Sequence, residues 1–216
     1  MNIFITGGAG YIGSHVSMKL LNAGHDITIY DDLSLGFEEN IDKRAVFIKG
    51  STLDLKLLRN SLSDNFDLVI HLAAYKAAGE SMEIPSKYSN NNINGSINLL
   101  NVLVELGIKN LIFSSTAAVY GYPKYLPIDE SHVLNPVNYY GYTKLTVENI
   151  IQWYAKLGKL NYVIFRYFNA AGYDITSRIK CVEQNPANLL PVIMELSLIH
   201  ISEPTRRYAI SYAVLC

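Results

Sequence analysis

Apolar runs and amphipathic stretches alternate along this chain, and the alternation predicts an α/β fold built as a doubly wound parallel sheet. Three observations carry that expectation. The strand-like runs are short and apolar on both faces, as strands covered from both sides are. The stretches between them repeat their apolar residues at helical spacing. A glycine-rich turn joins the first run to the first helical stretch.

Taken in order, Asn2–Thr6 is a short buried-strand pattern, and residues 11–23 have helical spacing with Gly24 as the stop. Residues 26–30 and 45–49 read as the second and third strands. A helix over 53–62 leads to a strand over 68–72, and a long helix over 90–106 to a strand over 111–114. Another long helix, 139–157, precedes a strand over 162–166. Residues 185–195 read as a short helix with Pro191 near its start. Residues 196–216 differ: Pro204, the basic pair Arg206–Arg207 and the lack of any period assign them no role.

The chain has 216 residues, 50% of them apolar and 17% charged, with a net charge of −1. That is enough for one well-buried domain and too little for two full-sized ones. No Lys/Arg block suggests nucleic acid as a partner. Two cysteines, Cys181 and Cys216, make no disulfide framework, which points to a reducing cytoplasm. The N-terminus lacks a signal-peptide pattern, and no apolar run approaches the roughly 20 residues of a membrane span. No membrane association and no metal are expected.

The turn Thr6-Gly7-Gly8-Ala9-Gly10-Tyr11-Ile12-Gly13 follows a strand and opens a helix. Its glycines suit a tight turn, close approach of backbone to a pyrophosphate, and close packing of helix on strand. The helix N-terminus then faces the phosphates with free N–H groups and the positive end of its dipole. Asp31 falls at the end of the second strand, where a carboxylate accepts hydrogen bonds from ribose hydroxyls and repels a 2′-phosphate. Strand, turn, helix, strand and acid in this order predict a Rossmann fold that binds NAD rather than NADP. Asp32 is either a second cofactor contact or a solvated turn residue.

Tyr140-Gly141-Tyr142-Thr143-Lys144 puts a phenol and an ammonium at i and i+4, on one face of a helix. A nearby cation stabilises phenolate, so Tyr140 is expected to lose its proton well below the usual value of about 10 and to serve as a base. The pair is also a common surface arrangement. Ser114-Ser115-Thr116 ends an apolar strand at the edge where open α/β sheets bind ligands, although such hydroxyls also cap following segments. Lys76, after the strand 68–72, either reaches the nicotinamide ribose or is a solvated loop lysine.

Together the glycine turn, the strand-end hydroxyls and the Tyr-Gly-Tyr-Thr-Lys segment resemble the extended short-chain dehydrogenase/reductases. Within them, three segments are similar to the UDP-glucose 4-epimerase family: 71–81, with Lys76-Ala77-Ala78-Gly79-Glu80-Ser81 the most discriminating; 88–95; and 166–172, Arg-Tyr-Phe-Asn-Ala-Ala-Gly. The likeness runs from Met1 to about Glu195. It implies NAD-dependent epimerisation at C4 of a UDP-hexose through a transient 4-keto sugar. It implies Tyr140 as base, Lys144 as its partner and Thr116 as the active-site hydroxyl. Implied cofactor contacts are Gly7, Gly10, Tyr11, Ile12, Gly13, Asp31, Lys76, Asn91, Lys144 and Tyr167. Implied substrate contacts are Thr116, Tyr140, Asn169, Asn188 and Leu189.

The resemblance also frames what differs. Ser51 and Thr52 stand where the family has an acid and an aliphatic residue at the adenine, and Leu35 where it often has asparagine, so weaker contacts are expected there. Residues 1–175 are expected to form the NAD-binding domain and 176–195 to begin the substrate-binding region. The remainder of that region is expected to be missing, with sugar-nucleotide affinity reduced. Ala117-Ala118 follow Thr116 where a 4,6-dehydratase would carry Asp-Glu. Another nucleotide-sugar enzyme, or an NAD-binding fragment without turnover, remains the alternative. The two long helices, 90–106 and 139–157, would pair in a homodimer or lie covered within the monomer.

Overall fold

The computed structural model describes residues 1–172 with 174, 178 and 179. The expected helix over 185–195 and the stretch 196–216 lie outside the described residues.

The elements follow the expected alternation. β1 (Asn2–Thr6), α1 (Tyr11–Asn22), β2 (Asp26–Asp31), β3 (Val46–Lys49), α2 (Leu55–Ser61) and β4 (Leu68–His71) come first. Two short helices, α3 (Ala78–Glu83) and α4 (Pro85–Tyr88), lead through a π-helical turn, Ser89–Asn94, into α5 (Gly95–Leu106). β5 (Asn110–Thr116), α6 (Tyr139–Lys156) and β6 (Asn161–Tyr167) complete the described chain. All six strands pair in parallel in the order β3-β2-β1-β4-β5-β6. The order in which strands are added reverses between β1 and β4, and a crevice at their C-terminal ends is where such sheets bind ligands.

The central strands are covered on both faces. Ile3 and Ile5 of β1 pack with Ile27, Ile29 and Ile70, under Val16, Leu20 and Leu21 of α1. Phe4, between them in sequence, joins Val69, Leu111 and Phe113 on the other face, with Leu58, Leu99, Val147 and Ile151 from α2, α5 and α6. Burial of this alternating set is the main stabilising term. The edge strands depart from the two-faced expectation: Val46 is 59% exposed and Phe165 46%. They lie at the two ends of the strand order, each with one edge unpaired among the described residues.

Three boundaries differ from the sequence expectation for local reasons. The Asp54 side chain accepts from the Leu57 N–H at 2.9 Å, so α2 starts at Leu55 rather than 53. β5 extends through Thr116 because Ser115 and Thr116 pair with Arg166 and Tyr167. The expected helix 90–106 is not one regular helix. Its first turn is π-helical, Ser89–Asn94, and there the Asn92 side chain bonds the Tyr75 backbone. Among the described residues no helix is long and apolar enough to cross a membrane.

Candidate active site

The crevice begins at the glycine turn. Gly7 has φ +72°, and a Cβ there would stand 2.6 Å from the Ala73 nitrogen, so β1 and the loop after β4 touch backbone to backbone. A Cβ on Gly13 would stand 2.2 Å from the Gly7 oxygen, which is how the first turn of α1 closes on the loop. Gly10 caps α1 without a side chain, no side chain caps the helix, and its first turn holds no acid. Tyr11 and Ile12 open that helix, and Tyr11 donates its hydroxyl to the Gly172 carbonyl. This uncapped N-terminus fits a pyrophosphate.

Asp31 is 8% exposed at the end of β2. The Ala9 N–H donates to one of its oxygens at 3.0 Å and the Leu33 N–H to the other at 2.9 Å. Burial raises its pKa, against those two hydrogen bonds. The carboxylate thus ties the glycine turn to β2. Asp32 accepts from the Ser34 N–H at 2.9 Å, within its own turn, and Leu35 is 56% exposed.

On the other side of the crevice, α6 runs along the end of β5. Tyr140, Lys144 and Glu148 recur at i, i+4 and i+8. The Thr116 hydroxyl lies on the Tyr140 phenol's side of the crevice and favours its ionised form. The Lys144 ammonium is buried, donates to the Ser114 carbonyl at 2.8 Å and sits 4.8 Å from the centre of the Phe113 ring. Burial lowers its pKa to about 7, and Glu148 opposes the fall. Thr116 also accepts from the Ala118 N–H at 3.2 Å, so the strand-end hydroxyl does cap the next turn.

One expectation is corrected here. The Tyr140 phenol is raised above its ordinary pKa, because burial outweighs the favourable influence of the Thr116 hydroxyl. Lys144 directs its ammonium at the Ser114 carbonyl rather than at the phenol, and burial works against its charge.

Several residues at the site were not singled out from the sequence. Asn92, 1% exposed in the π turn, accepts from the Tyr75 N–H and donates to the Tyr75 carbonyl, both at 2.9 Å. It also donates to Thr143 Oγ1 at 3.3 Å, so one side chain joins the loop after β4 to α6. Ser81 accepts from the Tyr140 N–H at 3.0 Å, and Asn138 from the Gly141 N–H at 2.8 Å. A Cβ on Gly141 would stand 2.7 Å from the Ala118 carbonyl. His71 lies 2.6 Å from Thr6 Oγ1 and 2.8 Å from Ser96 Oγ. Ser96 donates onward to the Asn92 carbonyl, which assigns the histidine proton to Nε2. The asparagine before the helix was a readable cap signal; the others answer to distant partners.

The remaining expected residues are placed unevenly. Lys76 follows Tyr75 in the loop after β4, and partial burial lowers its pKa. Asn91 donates to the Asn92 side chain at 3.2 Å. Tyr167 pairs with Thr116 across β5 and β6, and burial raises its pKa. Asn169 is exposed beyond β6. Asn188 and Leu189 lie outside the described residues. Among the described residues no group of acids, histidines and cysteines could hold a metal.

Residues 3–195 match the NAD dependent epimerase/dehydratase family. The chain belongs to that family. It is 40% identical over 199 residues to UDP-glucose 4-epimerase from Lactobacillus helveticus, covering 92% of this chain and 60% of the relative. The enzyme of that name from Bacillus subtilis is 36% identical over 208 residues, with 92% and 61% covered. Among solved structures, a UDP-glucose 4-epimerase from Brucella ovis in complex with NAD superposes with TM-score 0.86 at 39% identity, covering 89% of this chain and 59% of that one. Its counterpart from Bifidobacterium longum, in complex with NAD+ and UDP, gives 0.86 at 33% identity, with 92% and 62% covered. The chain thus spans about 60% of the length of the curated relatives it matches.

Proposed function

We propose that this protein interconverts UDP-glucose and UDP-galactose by NAD-dependent epimerisation at C4. The observation that carries the reading is the grouping of Tyr140, Lys144 and the Thr116 hydroxyl at the end of β5, across the crevice from an uncapped α1 N-terminus. We assign the pyrophosphate to Gly7, Gly10, Tyr11, Ile12 and Gly13, the adenosine ribose to Asp31 and the nicotinamide end to Lys76, Asn91, Lys144 and Tyr167. Residues 1–175 then form the cofactor domain and 176–195 begin the substrate region, with Asn169, Asn188 and Leu189 toward the sugar nucleotide.

In this reading Tyr140, as phenolate, takes the proton from the C4 hydroxyl, and the Thr116 hydroxyl holds the same oxygen as it becomes a carbonyl. NAD, when bound, supplies a reversible hydride acceptor at C4 and a positive ring charge beside the phenol. Lys144, one turn further along α6, supplies positive charge on the same helix face. After the sugar turns over, Tyr140 returns the proton to the oxygen. The cytoplasm is the proposed compartment. A homodimer through α5 and α6 is supported by Tyr142 and Trp153, exposed on α6, and sedimentation of the purified chain tests it.

The purified chain should carry NAD and convert UDP-galactose to UDP-glucose. Tyr140→Phe should lower that rate by about 10²-fold or more while NAD stays bound. Turnover that survives the substitution overturns the assigned base. Bound NAD without turnover in the unsubstituted chain limits the reading to cofactor binding.

A further inference from the structure

Glu148 is the one fully buried carboxylate among the described residues, and the proposed chemistry makes no use of it. Its side chain is 0% exposed. It accepts from the Ser115 hydroxyl, and from Arg166 through Nε at 3.2 Å and Nη2 at 2.7 Å. Arg166 is fixed in turn by the Tyr120 hydroxyl at 3.1 Å and by the Tyr120 ring. Three elements meet at this carboxylate: α6, β5 and β6.

Its position relative to the candidate site is regular. Tyr140, Lys144 and Glu148 share one face of α6; Lys144 and Glu148 hydrogen-bond Ser114 and Ser115 of β5, and Tyr140 feels the hydroxyl of the next residue, Thr116. A slip of α6 against β5 would therefore move all three together. We propose that Glu148, clasped by Ser115 and Arg166, is a positioning residue for the Tyr140–Lys144 pair, fixing α6 on the strand ends and supplying the buried negative charge that balances Lys144.

A buried ion pair is often only structural, and replacing one can leave stability unchanged. The charge environment separates the two roles. The titratable and charged groups that act on Lys144 are Glu148 from α6, His71 from β4 and, through Glu148, Arg166 from β6, with Tyr140 one turn earlier on the same face of α6. His71 is held neutral by burial and by Lys144 itself. Glu148 thus supplies the negative charge in this set, and without it the Lys144 ammonium should be harder to keep.

The proposal rests on the epimerase reading, but its test does not need turnover. The Lys144 side-chain resonance, assigned by its loss in Lys144→Met, is titrated by NMR in the chain without added ligand. Glu148→Gln keeps the shape and a hydrogen-bond acceptor while removing the charge. It should move the Lys144 midpoint down by about one pH unit or more, a tenfold change in protonated fraction. Should that variant fail to fold with Arg166 orphaned, Glu148→Gln with Arg166→Gln removes both members of the pair and should shift the midpoint the same way. Glu148→Asp, which keeps the charge, should restore much of it. An unchanged midpoint in a folded Glu148→Gln or double variant makes the pair structural only and overturns the proposal. Absence of turnover in the unsubstituted chain counts against the epimerase reading alone.

Discussion

Gly13 and His71 show how single residues hold the crevice in shape. A methyl on Gly13 would collide with the Gly7 oxygen, which is backbone and cannot swing away. Gly13→Ala should therefore push α1 off the turn, lowering stability by about 1–3 kcal/mol and NAD affinity by tenfold or more, as thermal unfolding and fluorescence titration would read. An alanine variant with unchanged affinity would remove the turn from the cofactor site. His71 carries a different consequence. Burial and the Lys144 charge lower its pKa to about 3, whereas in the unfolded chain it titrates near 6.5. The unfolded chain therefore binds the extra proton as pH falls through 6.5, and the folded one only near 3. Stability should fall with pH across that window by up to about 1.4 kcal/mol per unit. His71→Gln, which never charges, should flatten the acid limb of the denaturation profile; an identical slope in that variant would refute the assignment.

At the scale of elements, α6 depends on how its first turn is satisfied. Asn138 and Ser81 take the Gly141 and Tyr140 amides, the second from a helix more than fifty residues earlier in the chain. Asn138→Ala should cost about 1 kcal/mol, and Asn138→Asp much less, because aspartate keeps the acceptor and favours the helix dipole. Chemical denaturation of both variants checks the order. The same contrast explains what could be read in advance. Asn138 before a periodic stretch and Gly107 after one are local signals, and Gly107 does close α5 at φ +72°. Tyr140, Lys144 and Thr116 were legible because their chemistry lies in their own short segments. Ser81, Asn92 and Glu148 were not, because each acts on a partner from another element, and no spacing within a segment records that. Asn92 shows the limit most clearly. Its sequence reads as the first turn of the helix expected over 90–106, yet its side chain serves the Tyr75 backbone, and the helix opens into a π turn around it.

For the whole molecule, each strand could be recognised from its apolar run, whereas the order β3-β2-β1-β4-β5-β6 depends on packing between runs far apart in sequence. That order sets β1, with Gly7 at its end, between β2, which ends in Asp31, and β4 with the loop that follows it. A ligand bridging the glycine turn and Asp31 holds together segments that separate on unfolding, so binding should raise the stability of the folded chain as a unit. At a hundred times its dissociation constant, NAD should add about 2.7 kcal/mol. For a chain of this size that corresponds to roughly 5–10 °C in Tm. NADP carries a 2′-phosphate where Asp31 presents a buried carboxylate already committed to the Ala9 and Leu33 amides. Turning that carboxylate away would break both hydrogen bonds, so the repulsion should persist in the complex. NADP at the same concentration should therefore shift Tm far less, and calorimetry with the two cofactors side by side decides it. Equal shifts would mean that Asp31 only ties the turn to β2 and has no part in choosing the cofactor.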